Sequence, residues 1–340
     1  MSSPVVSQAP LVMRHRPDID GLRALAVLSV VAFHFTPATI TGGFVGVDIF
    51  FVISGFLISA IIQREISSGD FSLWRFYERR VRRILPALFA VLLSSSVVAY
   101  FCFLPDELRG YSKQLFATLF SAANVYFWIT TFGYFDFRPD AVPLLHTWSL
   151  AVEEQFYVFL PLLLIAIHRY AKNKLRWVIL TVAALSLTAS IAGGSSFPTA
   201  TFYLAHTRAW ELLIGAVVSL GVLPELRTGR LRELAGVIGL VFIGASVMLL
   251  RPTVPFPGAA ALVPCVGTAL VLAAGGRSDS VVTRTLSWRP LRFVGLISYS
   301  LYLWHWPVLV FSKALLVIPA RAPEVLVNAT LLAVSFALAV

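Results

Sequence analysis

Runs of roughly twenty apolar residues recur along this chain, each long enough to cross the ~30 Å hydrocarbon core of a bilayer as a helix. The first two runs lie between Asp18 and Ser59 and are joined by a turn at Thr41, Gly42 and Gly43. This arrangement predicts a transmembrane hairpin. Because runs of the same kind continue to the last residue, we expect an all-α, polytopic membrane protein.

Counting apolar windows predicts ten transmembrane helices in one membrane domain, residues 18–340, behind a polar tail, residues 1–17. The ten spans fall near residues 22–40, 44–63, 84–104, 146–167, 176–193, 204–223, 234–250, 258–274, 293–312 and 324–340.

One further apolar stretch, Leu115 to Thr131, is interrupted by the polar and small residues Ser121, Ala122 and Asn124. A broken segment of this kind is tolerated at membrane depth only where protein or water surrounds it. We therefore expect a short or re-entrant segment between the third and fourth spans.

The composition supports a membrane protein: 58% of the residues are hydrophobic and 13% are charged, against about 25% charged in soluble domains. The mean hydropathy is +0.82. The net charge of +10 comes from 27 lysines and arginines. These lie in short clusters between the apolar runs, so we expect the bilayer as a partner and no nucleic acid. Cys102 and Cys265 lie in separate spans, which predicts neither a disulfide framework nor a metal site.

Lysine and arginine are concentrated in alternate loops. One set of loops carries the clusters within residues 64–83, 169–176, 227–232 and 277–292, and the opposite set carries far fewer. Because cytoplasmic loops are enriched in these residues, both ends of the chain are predicted to be cytoplasmic. The last apolar run ends at Val340 without a polar flank, so we expect the natural protein to continue beyond it.

Three ionisable residues interrupt the opening hairpin, and such residues are functional candidates by default. Arg23 and His34 are eleven residues apart, which separates them by roughly 16 Å along a helix. A turn near Gly42 places Asp48 within about one helical turn of His34 in depth. A carboxylate there could fix the imidazole tautomer and raise its basicity. The alternatives are that the two residues only satisfy each other, or that Asp48 caps the second helix.

Arginines repeat on one helical face just before the third span. Arg75, Arg79, Arg82 and Arg83 occur at i, i+4, i+7 and i+8, with Arg80 between them. Guanidinium groups can bind a polyphosphate ligand through bidentate contacts, and nucleotide-containing acyl donors are cytoplasmic. Juxtamembrane arginines also obey the topology rule and bind anionic lipid, which is the interpretation favoured when the cluster is taken alone.

The motif HTWSLAVEEQFY opens the fourth span. Ser149, Glu153 and Tyr157 share one helix face, whereas Glu154 points about 100° away. Two adjacent carboxylates are costly in lipid, so at least one must face protein or a water-filled cavity. That carboxylate is either a catalytic group or a structural one.

Two further polar sites have simpler structural explanations. Arg208 and Glu211 are three residues apart on a helix and can neutralise each other. His305 lies just before Pro307 in the aromatic-rich run SYSLYLWHWP, for which aromatic packing is the expected role.

Five stretches, in this order along the chain, resemble the acyltransferase-3 family of membrane acyltransferases: DGLRALAVLSVVAFHF, GGFVGVDIFFVISGFLIS, FYERRVRRILPAL, HTWSLAVEEQFY and ISYSLYLWHWPV. The resemblance implies a ten-helix domain that transfers an acyl group, usually acetyl from cytoplasmic acetyl-CoA, to a hydroxyl of an extracytoplasmic glycan such as lipopolysaccharide O-antigen. It also implies a bacterial inner membrane, and many members continue into a periplasmic SGNH hydrolase-like domain.

The resemblance implies roles for single residues as well. His34 corresponds to the family's catalytic histidine, Arg23 to its Arg-x10-His partner, and Glu153, beside Glu154, to the functional glutamate of the fourth helix. The candidate site comprises catalytic His34, Asp48 and Glu153, donor-binding Arg23, Arg79, Arg80, Arg82 and Arg83, and substrate-binding Ser149, Tyr157 and Trp148, with acetyl-CoA as acyl donor and no metal.

Two chemical routes are open for His34. It either deprotonates the acceptor hydroxyl or carries the acyl group as a covalent intermediate. A hypothesis from a different class is a proton-coupled transporter or flippase in which the buried His, Asp and Glu residues relay protons. The inverted repeats that are common in transporters are not evident in the sequence.

Overall fold

A computed structural model describes residues 15–131, 142–223, 226, 228–275, 280–315 and 324–340, so most of the predicted polar tail lies outside the described residues. Every regular element in these ranges is a helix. The helices are α1 (Pro17–Phe35), α2 (Gly46–Ser68), α3 (Leu73–Cys102), α4 (Pro105–Leu119), α5 (Ala123–Thr130), α6 (Thr147–Tyr170), α7 (Leu175–Ser196), α8 (Pro198–Tyr203), α9 (Ala205–Ser219), α10 (Gly229–Leu249), α11 (Leu262–Ala274), α12 (Val281–Leu286), α13 (Arg289–Leu296), α14 (Ser298–Leu315) and α15 (Glu324–Ala339).

The prediction of an all-α, polytopic membrane protein is confirmed, but the count of ten crossings is not. A helix occupies each of the ten predicted spans. In the described part of the chain, five helical segments are both long and apolar enough to cross a bilayer, and the pair α13 and α14, bent by 66°, would make a sixth. The five are Gly43–Ser68, Leu73–Cys102, Thr147–Tyr170, Lys172–Ser196 and Gly229–Leu249.

The interrupted stretch from Leu115 to Thr131 forms no long apolar helix. It contains the end of α4 and all of α5, which are separated by a turn at residues 120–122. Ser121 in this turn has φ +52°, in the left-handed region that no helix continues through. A break was therefore correctly expected here, and its re-entrant character stays a prediction.

Glycines bring α2 and α9 into backbone contact. A Cβ added to Gly55 would lie 1.8 Å from the carbonyl oxygen of Leu212, and one added to Gly215 would lie 2.0 Å from that of Val52. Small residues allow membrane helices to approach this closely, where van der Waals packing drives their association. The contact places the polar residues of α9 directly against those at the start of α2.

Helix α1 lies at the centre of the polar region because it packs against α2, α13 and α14. Its contact with α2 is also glycine-mediated, since a Cβ on Gly46 would lie 2.2 Å from the carbonyl oxygen of Ala26. The hairpin predicted from the sequence is thus present. The packing of α1 against α14 brings the aromatic-rich run around His305 alongside His34.

Candidate active site

A cavity of about 210 Å³ opens between α1, α2, α3, α6 and α14. Its charged lining consists of Arg23, Arg80 and Arg83 together with Glu153 and Glu154. We call this space the large cavity, in contrast to the small one around His34; a cavity of about 470 Å³ between α6, α7 and α9 has, among the described residues, no ionisable side chain except His206 in its lining. Three arginines and two glutamates, contributed by α1, α3 and α6, therefore line the large cavity. Such a cluster is the arrangement expected where a charged ligand is bound.

The shared face predicted for α6 is present in the large cavity. The hydroxyls of Ser54 and Tyr157 both donate hydrogen bonds to Glu153 Oε1. The Arg80 guanidinium carbon lies 4.1 Å from the centre of the Tyr157 ring, within cation–π range. Ser149 Oγ is 2.7 Å from the hydroxyl of Tyr302 on α14. Glu153 is therefore held by two hydroxyl donors, which fixes the position of its carboxylate.

The arginine run of α3 divides between two faces. Arg79 donates to Glu65 at 2.6 Å and Arg82 to Glu78 at 2.7 Å, and the Arg82 side chain is 78% exposed. Arg80 and Arg83 are the ones that line the large cavity. The predicted common face of Arg75, Arg79, Arg82 and Arg83 is thus divided, because Arg79 and Arg82 pair with glutamates whereas Arg83 reaches the cavity together with Arg80.

A second, much smaller cavity contains His34. We call it the histidine chamber; its volume is about 10 Å³, near the lower limit for one water molecule. It is lined by Val30, His34, Phe44, Val47, Trp148, Phe202, Arg208, Phe256 and Tyr302. Val47 and Tyr302 also line the large cavity, so the two spaces adjoin. Trp148 belongs to the chamber, whereas Ser149 and Tyr157 belong to the large cavity.

The partner of Asp48 is an arginine, not His34. Asp48 Oδ1 accepts a hydrogen bond from Arg208 Nη1 at 3.0 Å, and the same nitrogen donates to Glu211 Oε1 at 2.7 Å. The predicted orienting pair of His34 and Asp48 is therefore wrong. Close packing of α2 on α9 brings Arg208 against the Asp48 carboxylate.

Arg208 is also surrounded by aromatic rings. Its guanidinium carbon lies 5.3–5.6 Å from the ring centres of Phe51, Trp148, Phe202 and Phe256. The side chain is 1% exposed. A buried arginine between two carboxylates and four rings is satisfied electrostatically, and it forms part of the chamber wall beside His34.

His34 contacts another histidine. Its Nδ1 lies 3.0 Å from Nε2 of His305, whose own Nδ1 lies 2.6 Å from the backbone carbonyl oxygen of Tyr302. The ring of Trp306 packs edge-on at 4.7 Å from that of His34. His305 was expected to serve aromatic packing. The signal that could have identified it is that a histidine inside an apolar helix is itself an ionisable residue at membrane depth.

A family model described as an acyltransferase domain matches residues 16–340, nearly the whole chain. The chain belongs to the acyltransferase-3 family. Its predicted family resemblance is thereby confirmed, and family membership favours the enzyme over the transporter hypothesis.

This acyltransferase-3 chain is similar to several curated proteins. It is 31% identical to a protein of Listeria monocytogenes named peptidoglycan O-acetyltransferase OatA, over 89% of the chain and 51% of that protein. It is 34% identical to the putative peptidoglycan O-acetyltransferase YrhL of Bacillus subtilis, over 88% and 49%. It is 30% identical to O-acetyltransferase OatA of Staphylococcus aureus, over 88% and 52%. The chain thus spans about half the length of these relatives. No solved structure matches it.

The large cavity offers cations for an anionic ligand, and the chamber offers an imidazole. In the described ranges, no group of three or more His, Cys, Asp or Glu side chains is placed to hold a metal ion. The sequence-predicted candidates His34, Arg23, Arg80, Arg83 and Glu153 all line one of these two cavities. Arg208 pairs with Glu211 as expected, and the contact of His305 with His34 was not predicted.

Proposed function

We propose that this chain is the membrane part of an O-acetyltransferase of the bacterial inner membrane. It takes an acyl group, acetyl, from acetyl-CoA on the cytoplasmic side and delivers it to a hydroxyl of an extracytoplasmic cell-envelope glycan. Two of the relatives are named as peptidoglycan O-acetyltransferases, which favours peptidoglycan over lipopolysaccharide O-antigen as the acceptor. The lysine and arginine bias between loops supports cytoplasmic ends for this chain.

The observation that carries the proposal is the continuity between the arginines and His34. Arg23, Arg80 and Arg83 line the large cavity, which adjoins the histidine chamber across Val47 and Tyr302. Guanidinium groups suit the phosphates of CoA because they make charge-assisted, bidentate hydrogen bonds. The roughly 16 Å that separates Arg23 from His34 along α1 is a distance that an extended pantetheine arm can bridge.

The chemistry follows one of two balanced routes. In the first, His34 takes the proton of the acceptor hydroxyl, the oxygen attacks the thioester carbonyl, the C–S bond breaks, and the thiolate leaves as CoA thiol after receiving the proton. In the second, the His34 nitrogen attacks the thioester carbonyl first, the C–S bond breaks, and CoA leaves as the thiol with the proton of the imidazole. The acceptor hydroxyl then attacks the acyl-imidazole, the C–N bond breaks, and the hydroxyl proton returns to the imidazole. Both routes produce one glycan ester and one CoA thiol per acetyl-CoA.

The test is transfer of labelled acetyl from acetyl-CoA to envelope glycan in membranes containing the full-length protein. His34→Ala is expected to abolish transfer, whereas His168→Ala, at an exposed position in the last turn of α6, should leave it unchanged. Normal transfer by His34→Ala would contradict the assignment. Accumulation of an acid-labile acetyl-protein adduct in the presence of His34, without acceptor, would select the covalent route.

A further inference from the structure

Two histidines and one backbone carbonyl form a hydrogen-bonded chain at the C-terminal end of α1. The carbonyl of Tyr302 is followed by Nδ1 and Nε2 of His305, and then by Nδ1 of His34. The two imidazole planes are inclined by only 15°, with ring centres 5.2 Å apart. The two ring planes are therefore nearly parallel, which suits an in-plane hydrogen bond between their nitrogens.

The direction of each hydrogen bond in this chain is determined by its first member. A carbonyl oxygen can only accept, so Nδ1 of His305 must carry the proton that it donates to Tyr302. A neutral imidazole has one N–H, so Nε2 of His305 is the acceptor. The nitrogen that lies 3.0 Å from it, Nδ1 of His34, must then be the donor. A neutral His34 consequently has its lone pair on Nε2.

We propose that His305 is a positioning residue that holds His34 in the Nδ1–H tautomer, so that Nε2 of His34 is the nitrogen that acts in acyl transfer. The catalytic role of His305 rests on the proposed acetyl-transfer function, whereas the tautomer assigned to His34 rests only on the hydrogen-bonded chain. His305 thus takes the role that the sequence predicted for Asp48, with an imidazole in place of a carboxylate.

The surroundings favour neutral rings and exclude the reversed chain. In the reversed arrangement, Nε2 of His305 would donate to Nδ1 of His34. Both nitrogens of His305 would then carry protons, and the ring would be a buried cation. His305 is fully buried, and it contacts backbone carbonyls of its own helix and the ring of His34. The buried ring of His146 also packs edge-on at 5.8 Å from that of His305, and an imidazole supplies no negative charge that would stabilise a cation there. Burying an unpaired charge is strongly unfavourable because the charge loses its hydration. Asp48, the carboxylate that the sequence predicted beside His34, is bound to Arg208.

The tautomer can be measured without any substrate. Histidine labelled with ¹⁵N in the full-length protein, reconstituted in nanodiscs at neutral pH, gives separate signals for protonated and unprotonated ring nitrogens. The His34 signals are assigned by their loss in His34→Gln. We expect a protonated Nδ1 and an unprotonated Nε2 for His34. A protonated Nε2 on His34 in the wild-type protein would overturn the proposal.

Two substitutions of His305 give the matched functional test. The amide oxygen of His305→Gln can still accept a hydrogen bond near the position of Nε2, whereas the side chain of His305→Leu cannot accept one. For His305→Leu we expect kcat to fall by roughly 10- to 100-fold with the KM for acetyl-CoA almost unchanged, since positioned general-base catalysis contributes factors of this size or more. His305→Gln should recover most of that loss.

Each remaining outcome is decisive. Equal activity of the Leu and Gln variants, or full activity of His305→Leu, would overturn the positioning role, and His168→Leu controls for the loss of an exposed histidine. If the wild-type protein transfers no acetyl, the proposed function fails while the ¹⁵N measurement still decides the tautomer. Retained tautomer in His305→Leu would show that another residue fixes His34 and would also overturn the proposal.

Discussion

Nη1 of Arg208 donates hydrogen bonds to Asp48 and to Glu211 at once, at 3.0 Å and 2.7 Å. Asp48 and Arg208 are 160 positions apart, and all three side chains are 1% exposed or less. This triad joins α2 to α9. It also engages Oδ1 of Asp48, which gives that residue a structural role distinct from the chemistry proposed for His34.

The first prediction concerns the stability of the triad. Arg208→Met leaves two buried carboxylates without a cation, and removing one member of a buried ion pair costs about 3–5 kcal/mol. The control is Arg109→Met, because Arg109 and its partner Asp106 are both largely exposed. We expect the control to lose at most about 1 kcal/mol. Denaturation of the purified protein in detergent measures both, and equal losses would contradict a stabilising triad.

The second prediction separates Asp48 from His34 in catalysis. Asp48→Asn leaves Arg208 with Glu211 as its remaining carboxylate partner and leaves the contact between His34 and His305 in place. We therefore expect Asp48→Asn and Glu211→Gln to have similar, moderate effects on acetyl transfer, and His34→Ala to abolish it. Loss of transfer in Asp48→Asn as complete as in His34→Ala, in correctly folded protein, would show that Asp48 acts on His34 after all.

The third prediction tests the division of the arginine run. Arg80→Gln and Arg83→Gln should each raise the KM for acetyl-CoA by roughly 10-fold or more, since hydrogen bonds to charged groups contribute about 1.5–3 kcal/mol. Arg79→Gln and Arg82→Gln remove the same charge at positions outside the large cavity, where each arginine pairs with a glutamate. These two variants should change KM by less than about threefold, as expected for exposed ion pairs. Equal effects in all four would restore the single cationic face.

The fourth prediction concerns the packing of α2 on α9. Gly55→Ala would place a methyl group 1.8 Å from a backbone oxygen of α9, which cannot be relieved by moving a side chain. Overpacking of this kind costs about 1–3 kcal/mol. Gly244→Ala on α10 is the control, because nothing lies within 4 Å of its added Cβ. Alanine should stabilise that helix by up to about 1 kcal/mol. Opposite signs in a thermal unfolding assay are the expected result.

The amino-acid sequence by itself determined where the helices form and which ionisable residues they contain. A run of roughly twenty apolar residues is a local property, and the bilayer leaves it no alternative to the helix. For the same reason, ionisable residues inside those runs, such as Arg23, His34 and Glu153, were identifiable as site candidates from the amino-acid pattern alone. The i, i+4, i+8 spacing of Ser149, Glu153 and Tyr157 also predicted correctly that they share a face.

Only the tertiary structure decided which of these polar side chains meet. Counting residues from a turn gives the depth of Asp48 but not the direction of its side chain around the helix axis. That direction was set by the backbone contact at Gly55 and Gly215, which brings Arg208 to the carboxylate. The partner of His34 came from α14, 271 positions away. Hydrogen bonds between distant helices depend on helix packing, and a one-dimensional pattern does not contain the rotation of each helix against its neighbours.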